Sequence, residues 1–127
     1  MTADQICTDV DSFDYDYEND SLFIFTKGPN YSHSLNLDNI IIDFSEGNII
    51  KGVEIQNASQ KFGVSKYALK NPHKVDVGLN VSDEKIELKI RLTLRIRNKY
   101  LPKVIATTDM NEFNIPSGTM AMSCGMC

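Results

Sequence analysis

The chain ends in "MAMSCGMC", where five sulfurs fall within eight residues. Cysteine and methionine are soft ligands, and Cu(I) accepts two or three of them with little demand on geometry. Cys124, Met126 and Cys127 are therefore a candidate chelate. A structural zinc site asks for more: four ligands on pinned elements, with a second cysteine pair answering the first. Cys7 stands alone, and His33 and His73 are distant in sequence. The expectation is a sulfur-rich tail with no metal and no cofactor, with the alternative that Met120 and Met122 pack as a last edge strand.

A second cluster is acidic. "DVDSFDYDYEND" spaces carboxylates much as a calcium loop does, but no register starting at Asp9, Asp11, Asp14 or Asp16 has the glycine that such a loop needs at its sixth position. It reads instead as a strand with acids on its exposed face, then a turn in which Asp16, Asn19 or Asp20 bonds backbone amides. Farther on, Asp43 and Glu54 lie on the two arms of a predicted hairpin and are expected to face each other. Two carboxylates pressed together raise one pKa, which is the basis of general acid–base chemistry. No nucleophile, phosphate loop or catalytic histidine accompanies them, so salt bridging or turn bonding is the favoured role and an enzyme is not. Gly52 is read as the site of a bulge or a close backbone approach.

The third pattern is a basic stripe. Ile86, Leu88, Ile90, Leu92, Leu94 and Ile96 alternate and share one face of a strand. The other face carries Glu87, Lys89, Arg91, Thr93, Arg95 and Arg97. If Val81 pairs with Ile86, Asp76 falls opposite Arg91 and neutralises part of the stripe. Lys89, Arg91, Arg95 and Arg97 are the candidate partner-binding residues, set against the plain reading that antiparallel sheets often leave one side polar. An acidic protein is the partner they suit first and nucleic acid second, because no aromatic interleaves with the bases as a stacking platform requires.

The elements that position these groups are mostly strands, because alternation dominates the chain. Phe13, Tyr15 and Tyr17 share one parity, Leu22 to Phe25 is a short apolar run, and Tyr31 to Leu37 alternates again. Ile40 to Ile42 and Ile49 to Ile55 flank Ser45-Glu46-Gly47-Asn48, a predicted hairpin turn. Asn57 and Ser65 are expected to cap two short helical turns, with Gly63 ending the first and Pro72 following the second. Phe62, Tyr67 and Leu69 are their expected core contacts. Beyond Pro72 come the strand over 75–81, the long strand over 86–97, interruptions at Asn98-Lys99 and Pro102, and a short strand over 104–106. The predicted fold is α+β: mostly antiparallel sheet with one short, broken helical segment near residues 57–70. Residues 1–127 form one domain, with 1–10 and 120–127 as candidate mobile ends.

Composition narrows the setting. The 127 residues are 42% hydrophobic, enough for one core, and no run approaches the length of a membrane helix. The acidic N-terminus lacks the order of a secretory signal, and three cysteines are an odd number for a disulfide framework. Cytoplasmic localisation with no membrane association is the expectation. A net charge of −4 argues against bulk attraction to nucleic acid or anionic membranes. Yet residues 1–20 hold seven acids and no base, while 85–103 hold seven bases and one acid.

Residues 13–60 resemble the domain of unknown function 2283 family of small bacterial and archaeal proteins. The family pattern is Tyr-Asp-x-x-x-Asp-x-Leu-aromatic-Ile, then Asp, a turn, and Gly-Ile-Glu-Ile-x-x-Ala-Ser. Here it reads Tyr15-Asp16, Asp20, Leu22-Phe23-Ile24, Asp43, Gly52-Val53-Glu54-Ile55 and Ala58-Ser59. Ser45 replaces a second acid usual after Asp43, and Gly47-Asn48 stands where the family tends to have Asn-Gly, which weakens any metal role for the turn. The resemblance implies antiparallel strands with a helix, no established activity, and structural roles for Tyr15, Asp16, Asp20, Asp43, Gly52, Glu54 and Ser59. Members are often encoded beside small ribonuclease-like toxins, which implies an antitoxin-like partner role. The function expected from all this is a non-catalytic protein-interaction module with an acidic or toxin-like partner. The alternative is a small nucleic-acid-binding protein using the basic face of strand 86–97.

Overall fold

The structure, a computed structural model, describes residues 5–10, 12–27, 30–47, 49–70, 72–112, 115 and 117–123. In chain order the elements are β1 (Gln5–Asp9), β2 (Ser12–Asp16), β3 (Ser21–Phe25), β4 (Tyr31–Leu37), β5 (Ile40–Ser45), β6 (Ile50–Ile55), α1 (Ala58–Phe62), a 3-10 turn (Tyr67–Leu69), β7 (Pro72–Val81), β8 (Lys85–Ile96), β9 (Lys99–Met110) and β10 (Gly118–Ser123). The strands form two five-stranded sheets, ordered β1-β10-β7-β8-β9 and β2-β3-β6-β5-β4. Every pairing is antiparallel except β1 with β10, which is parallel. The mostly antiparallel expectation is met, but helix is a smaller share than an α+β label suggests: one five-residue α-helix and one 3-10 turn.

Both sheets contribute to one core. Leu22, Ile24, Ile42, Phe44 and Ile55 come from one sheet, and Val77, Leu79, Ile86, Ile90 and Leu92 from the other. Alternation explains why, since a strand with one apolar parity must turn that parity inward to bury it. β8 obeys the rule along its length: Ile86, Leu88, Ile90, Leu92 and Leu94 are buried, while Lys89, Arg91 and Arg95 are exposed. Leu92→Ala should therefore cost about 2–5 kcal/mol and Arg95→Ala less than about 0.5 kcal/mol in urea unfolding. Comparable losses from both would invalidate the inward assignment.

The helical connector follows its sequence signals in part. Gly63 ends α1 in the left-handed conformation at φ 68°, and Ser65 Oγ accepts from the Ala68 amide at 3.3 Å. Phe62 and Leu69 are buried as expected, but Tyr67 points outward and is 77% exposed. Asn57 does not cap α1 with its side chain; it sits at φ 54°, and the helix is capped from elsewhere.

Three further expectations need correction. First, Pro102 does not break the chain. Arg97 and Asn98 both have positive φ and make a two-residue turn between Ile96 and Lys99, after which β9 runs unbroken opposite the whole of β8. In such a hairpin Ile96 and Lys99 exchange hydrogen bonds, so the even-numbered residues of β9 turn their backbone groups away from β8. Pro102, which lacks an N–H, thus lies on the free side of an edge strand, where proline is tolerated. Second, Arg97 belongs to that turn and not to the strand face. Third, the chain ends are structural as far as Ser123: β10 lies between β1 and β7, with Met120 and Met122 buried. Cys124 to Cys127 and the side chain of Cys7 lie outside the described residues, as does Asn48 of the β5–β6 turn, where Gly47 holds φ 88°.

Candidate interaction site

Tyr15, Asp20 and Ser59 converge, although 39 residues separate the last two. Asp20 sits in the β2–β3 turn at 8% exposure with φ 53°, a conformation that aspartate tolerates better than most residues. Its carboxylate accepts from Tyr15 Oη at 2.6 Å, from Ser59 Oγ at 2.6 Å and from the Ser59 amide at 3.0 Å. Its carbonyl accepts from the Ala58 amide at 2.9 Å. Asp20 is thus the cap that α1 lacks locally, and it fastens the β2–β3 hairpin to the helix. Burial opposes its charged form most strongly, but the bonds from Ser59 and Tyr15 together with nearby Lys66 outweigh that and lower its pKa. Burial, then the bond to Asp20, drives the Tyr15 hydroxyl far above its ordinary value. Asp16 holds the same turn, accepting from the Glu18 and Asn19 amides at 3.1 Å and from Asn19 Nδ2 at 2.7 Å.

Asp43 and Glu54 do not oppose each other. Asp43 pairs with Gly52 and Glu54 with Ile41. Asp43 accepts from Ser34 Oγ at 2.6 Å, and Glu54 from Gln56 Nε2 at 3.2 Å, so each carboxylate has a structural partner. Register decides this, because no pairing compatible with a turn over residues 45–48 brings Asp43 opposite Glu54; a register shift also falls between Asp43 and Phe44. Gly52 is the close approach it was read to be. A Cβ there would lie 3.2 Å from Phe25 Cδ1 and 3.3 Å from the Ile24 carbonyl oxygen.

The basic stripe is real over Lys89, Arg91 and Arg95, and Asp76 does fall opposite Arg91. Lys74 Nζ lies 3.8 Å from Asp76 Oδ2 on the neighbouring strand. No aromatic interleaves with the bases along β8 itself, but the neighbouring strand supplies one. Tyr100 of β9 pairs with Arg95, whose guanidinium carbon is 6.0 Å from its ring centre, and His73 packs on the same ring at 4.4 Å. Sequence reading missed Tyr100 because β9 appeared broken. His33, the other histidine, stacks on Phe44 at 5.1 Å.

Around the end of the β8–β9 hairpin the stripe opens into a groove of about 800 Å³ between hairpin and helical connector. Its charged lining is Lys70, Arg95, Arg97 and Lys103, with no carboxylate among the lining residues. Val64, Ala68, Ile96 and Leu101 supply apolar walls beside the exposed Tyr67. Lys70 Nζ also lies over the Tyr17 ring at 4.7 Å, and Lys66 donates to the Tyr17 carbonyl at 3.1 Å. The structure therefore gathers Arg95 and Arg97 into one concave site, while Lys89 and Arg91 continue it along the open sheet. Lys70 and Lys103 are not singled out from sequence, and Tyr67 is expected in the core, since only folding brings the connector against the hairpin. Among the described residues no group of three His, Cys, Asp or Glu side chains could hold a metal ion, and no helix is long and apolar enough to cross a membrane.

These features define a small two-sheet β protein with a cationic end and a family motif built around internal fastening. The chain belongs to the family described as protein of unknown function (DUF2283), whose model matches residues 12–59. A Methanosarcina mazei protein named putative hypoxanthine phosphoribosyltransferase is 34% identical over 113 residues, covering 89% of this chain and 92% of its own length. An uncharacterized protein of Methanocaldococcus jannaschii is 37% identical over 110 residues, 86% of this chain and 95% of its own. No solved structure matches the chain. The matched motif contains Tyr15, Asp20 and Ser59 but ends before the groove's lining residues.

Proposed function

We propose that the protein is a non-catalytic, cytoplasmic interaction module that binds an acidic partner protein at the cationic end. The observation that carries this reading is the groove lined by Lys70, Arg95, Arg97 and Lys103 with no carboxylate among them. Four like charges around apolar walls are unfavourable in isolation and are relieved by a ligand with acidic and apolar groups. Exposed tyrosine and arginine side by side are also the residue types most enriched where proteins bind proteins. The family resemblance adds a toxin-like protein as one kind of partner. Phosphoribosyl transfer, which the Methanosarcina name suggests for that relative, finds little support here. Phosphate groups are commonly cradled by a glycine loop leading into a helix, whereas α1 follows Gln56-Asn57.

Nucleic acid is the second reading, favoured by Tyr67 and Tyr100, which are 77% and 54% exposed beside the cations. One experiment separates the two. The partner recovered from source cells is purified, the binary complex is reassembled, and Lys70→Glu with Arg97→Glu is introduced. Loss of at least about tenfold in affinity with an unchanged melting curve is expected. Full binding by the double variant would eliminate the groove. Salt-dependent binding of a single-stranded RNA oligonucleotide that disappears with Tyr67→Ala and Tyr100→Ala would establish the second reading in its place.

A further inference from the structure

We propose that β9 pairs with β9 of a second copy of this chain, joining the two β1-β10-β7-β8-β9 sheets into one continuous sheet across a two-fold axis at Ala106. This inference starts from a different observation than the groove, with which it shares one residue, Lys103. That observation is the backbone: among the described residues β9 is an edge of its sheet, and the hairpin geometry leaves the N–H and C=O groups of Val104, Ala106 and Thr108 facing outward. At Met110 the N–H already donates to Asp109 Oδ1 at 2.8 Å and the C=O accepts from the Glu112 amide at 2.9 Å. β9 is also long and regular, with no register shift against β8 over residues 99–110. The other edges are poorer templates for self-pairing, and β1, on the far side of the same sheet, has only five residues. β2 is short and carries Asp14 and Asp16, which would face like charges in a second copy, and β4 is bulged between Tyr31 and His33.

Charge selects the register. An antiparallel self-pairing centred on Ala106 places Val104 opposite Thr108 and Lys103 opposite Asp109 of the second copy. Symmetry produces that ion pair twice. Lys103 and Asp109 fall at non-hydrogen-bonded positions of the new pairing, where opposed side chains come closest. Neither takes part in a salt bridge identified among the described residues. The small Ala106 side chain occupies the axis, where bulk would meet its own copy.

Pro102 supports the same choice. Centred on Ala106 it pairs only at the end of the ladder, opposite Met110, whereas shifting the centre to Val104 would bring its missing N–H into the middle. On the outer face Val104 and Met110, 45% and 66% exposed, gain apolar neighbours. On the inner face a depression lined by Asp38, Lys61 and Ile105 leaves room for the side chains of the second copy.

Sedimentation equilibrium of the full chain over a concentration series tests the proposal. A reversible dimer is expected, and Ala106→Pro, which removes an N–H that β8 does not use, should return it to monomer with unchanged circular dichroism. Lys103→Glu and Asp109→Lys should each weaken the dimer at least about tenfold, and the two together should restore it. A monomer at every concentration would overturn the proposal. So would a dimer indifferent to Ala106→Pro or to the single charge reversals, because another surface would then be holding it.

Discussion

Deleting residues 118–127 is expected to abolish the cooperative thermal transition. β10 is a central strand: Met120 pairs with Ile6 on one side and Leu79 on the other, and Met122 with Thr8 and Val77. Its loss would strip β7 of one ladder, uncouple β1 from the sheet, and expose the core beneath Val77, Leu79 and Val81. Backbone groups left unpaired in that interior add to the cost. A milder test isolates the packing. Met122 is fully buried, so Met122→Ala should cost about 2–5 kcal/mol in urea unfolding while leaving a cooperative transition. A shortened chain that melts cooperatively near the full chain's temperature would show that β10 is dispensable, and with it the β1–β10 pairing.

That outcome inverts what the tail suggests when read by itself. Five sulfurs in eight residues draw attention to metal chemistry and to mobility, and the alternation of Met120 and Met122 suggests at most an edge strand, whereas β10 lies between β1 and β7. Its partner β1 is at the opposite end of the chain, so no local pattern announces the pairing. Where interactions are local, reading succeeded: the loop at Ser82 to Lys85 set the β7–β8 register, including Asp76 against Arg91, and Gly63 marked the end of α1. Where the deciding fact is topological, it failed. Pro102 ends a strand in most contexts and is harmless on a free edge. Asp43 and Glu54 lie on paired strands, but the register sets Asp43 against Gly52 and Glu54 against Ile41, two positions apart along the ladder. The groove was only half visible, since Arg95 and Arg97 were in the stripe while Lys70 and Tyr67 arrive from the connector. The family motif was visible as spacing, and its role as a helix cap emerged only with the fold.

Asp20→Ala is the second large effect, expected at about 2–4 kcal/mol at neutral pH. The change removes the acceptor for Tyr15 Oη, Ser59 Oγ and the Ser59 amide together, and bonds to a charged group are the stronger kind. Part of the loss has another source, because alanine resists the φ of 53° that aspartate accepts. Asp20→Gly separates the two, since glycine relieves the backbone and still lacks the carboxylate. The pH dependence follows from the direction of each shift. Asp20 has a lowered folded pKa, so its contribution is complete above the unfolded value of about 3.9 and is lost as pH falls through the lower folded value. Tyr15 has a raised folded pKa, so its contribution is complete below about pH 10 and is lost as pH rises beyond that. The stability difference between the natural chain and Asp20→Ala, followed by urea unfolding, should therefore be flat near neutrality and shrink below about pH 4. A difference that stays constant from neutral pH into strong acid would mean that the charge of Asp20 is immaterial and that backbone strain alone explains the loss.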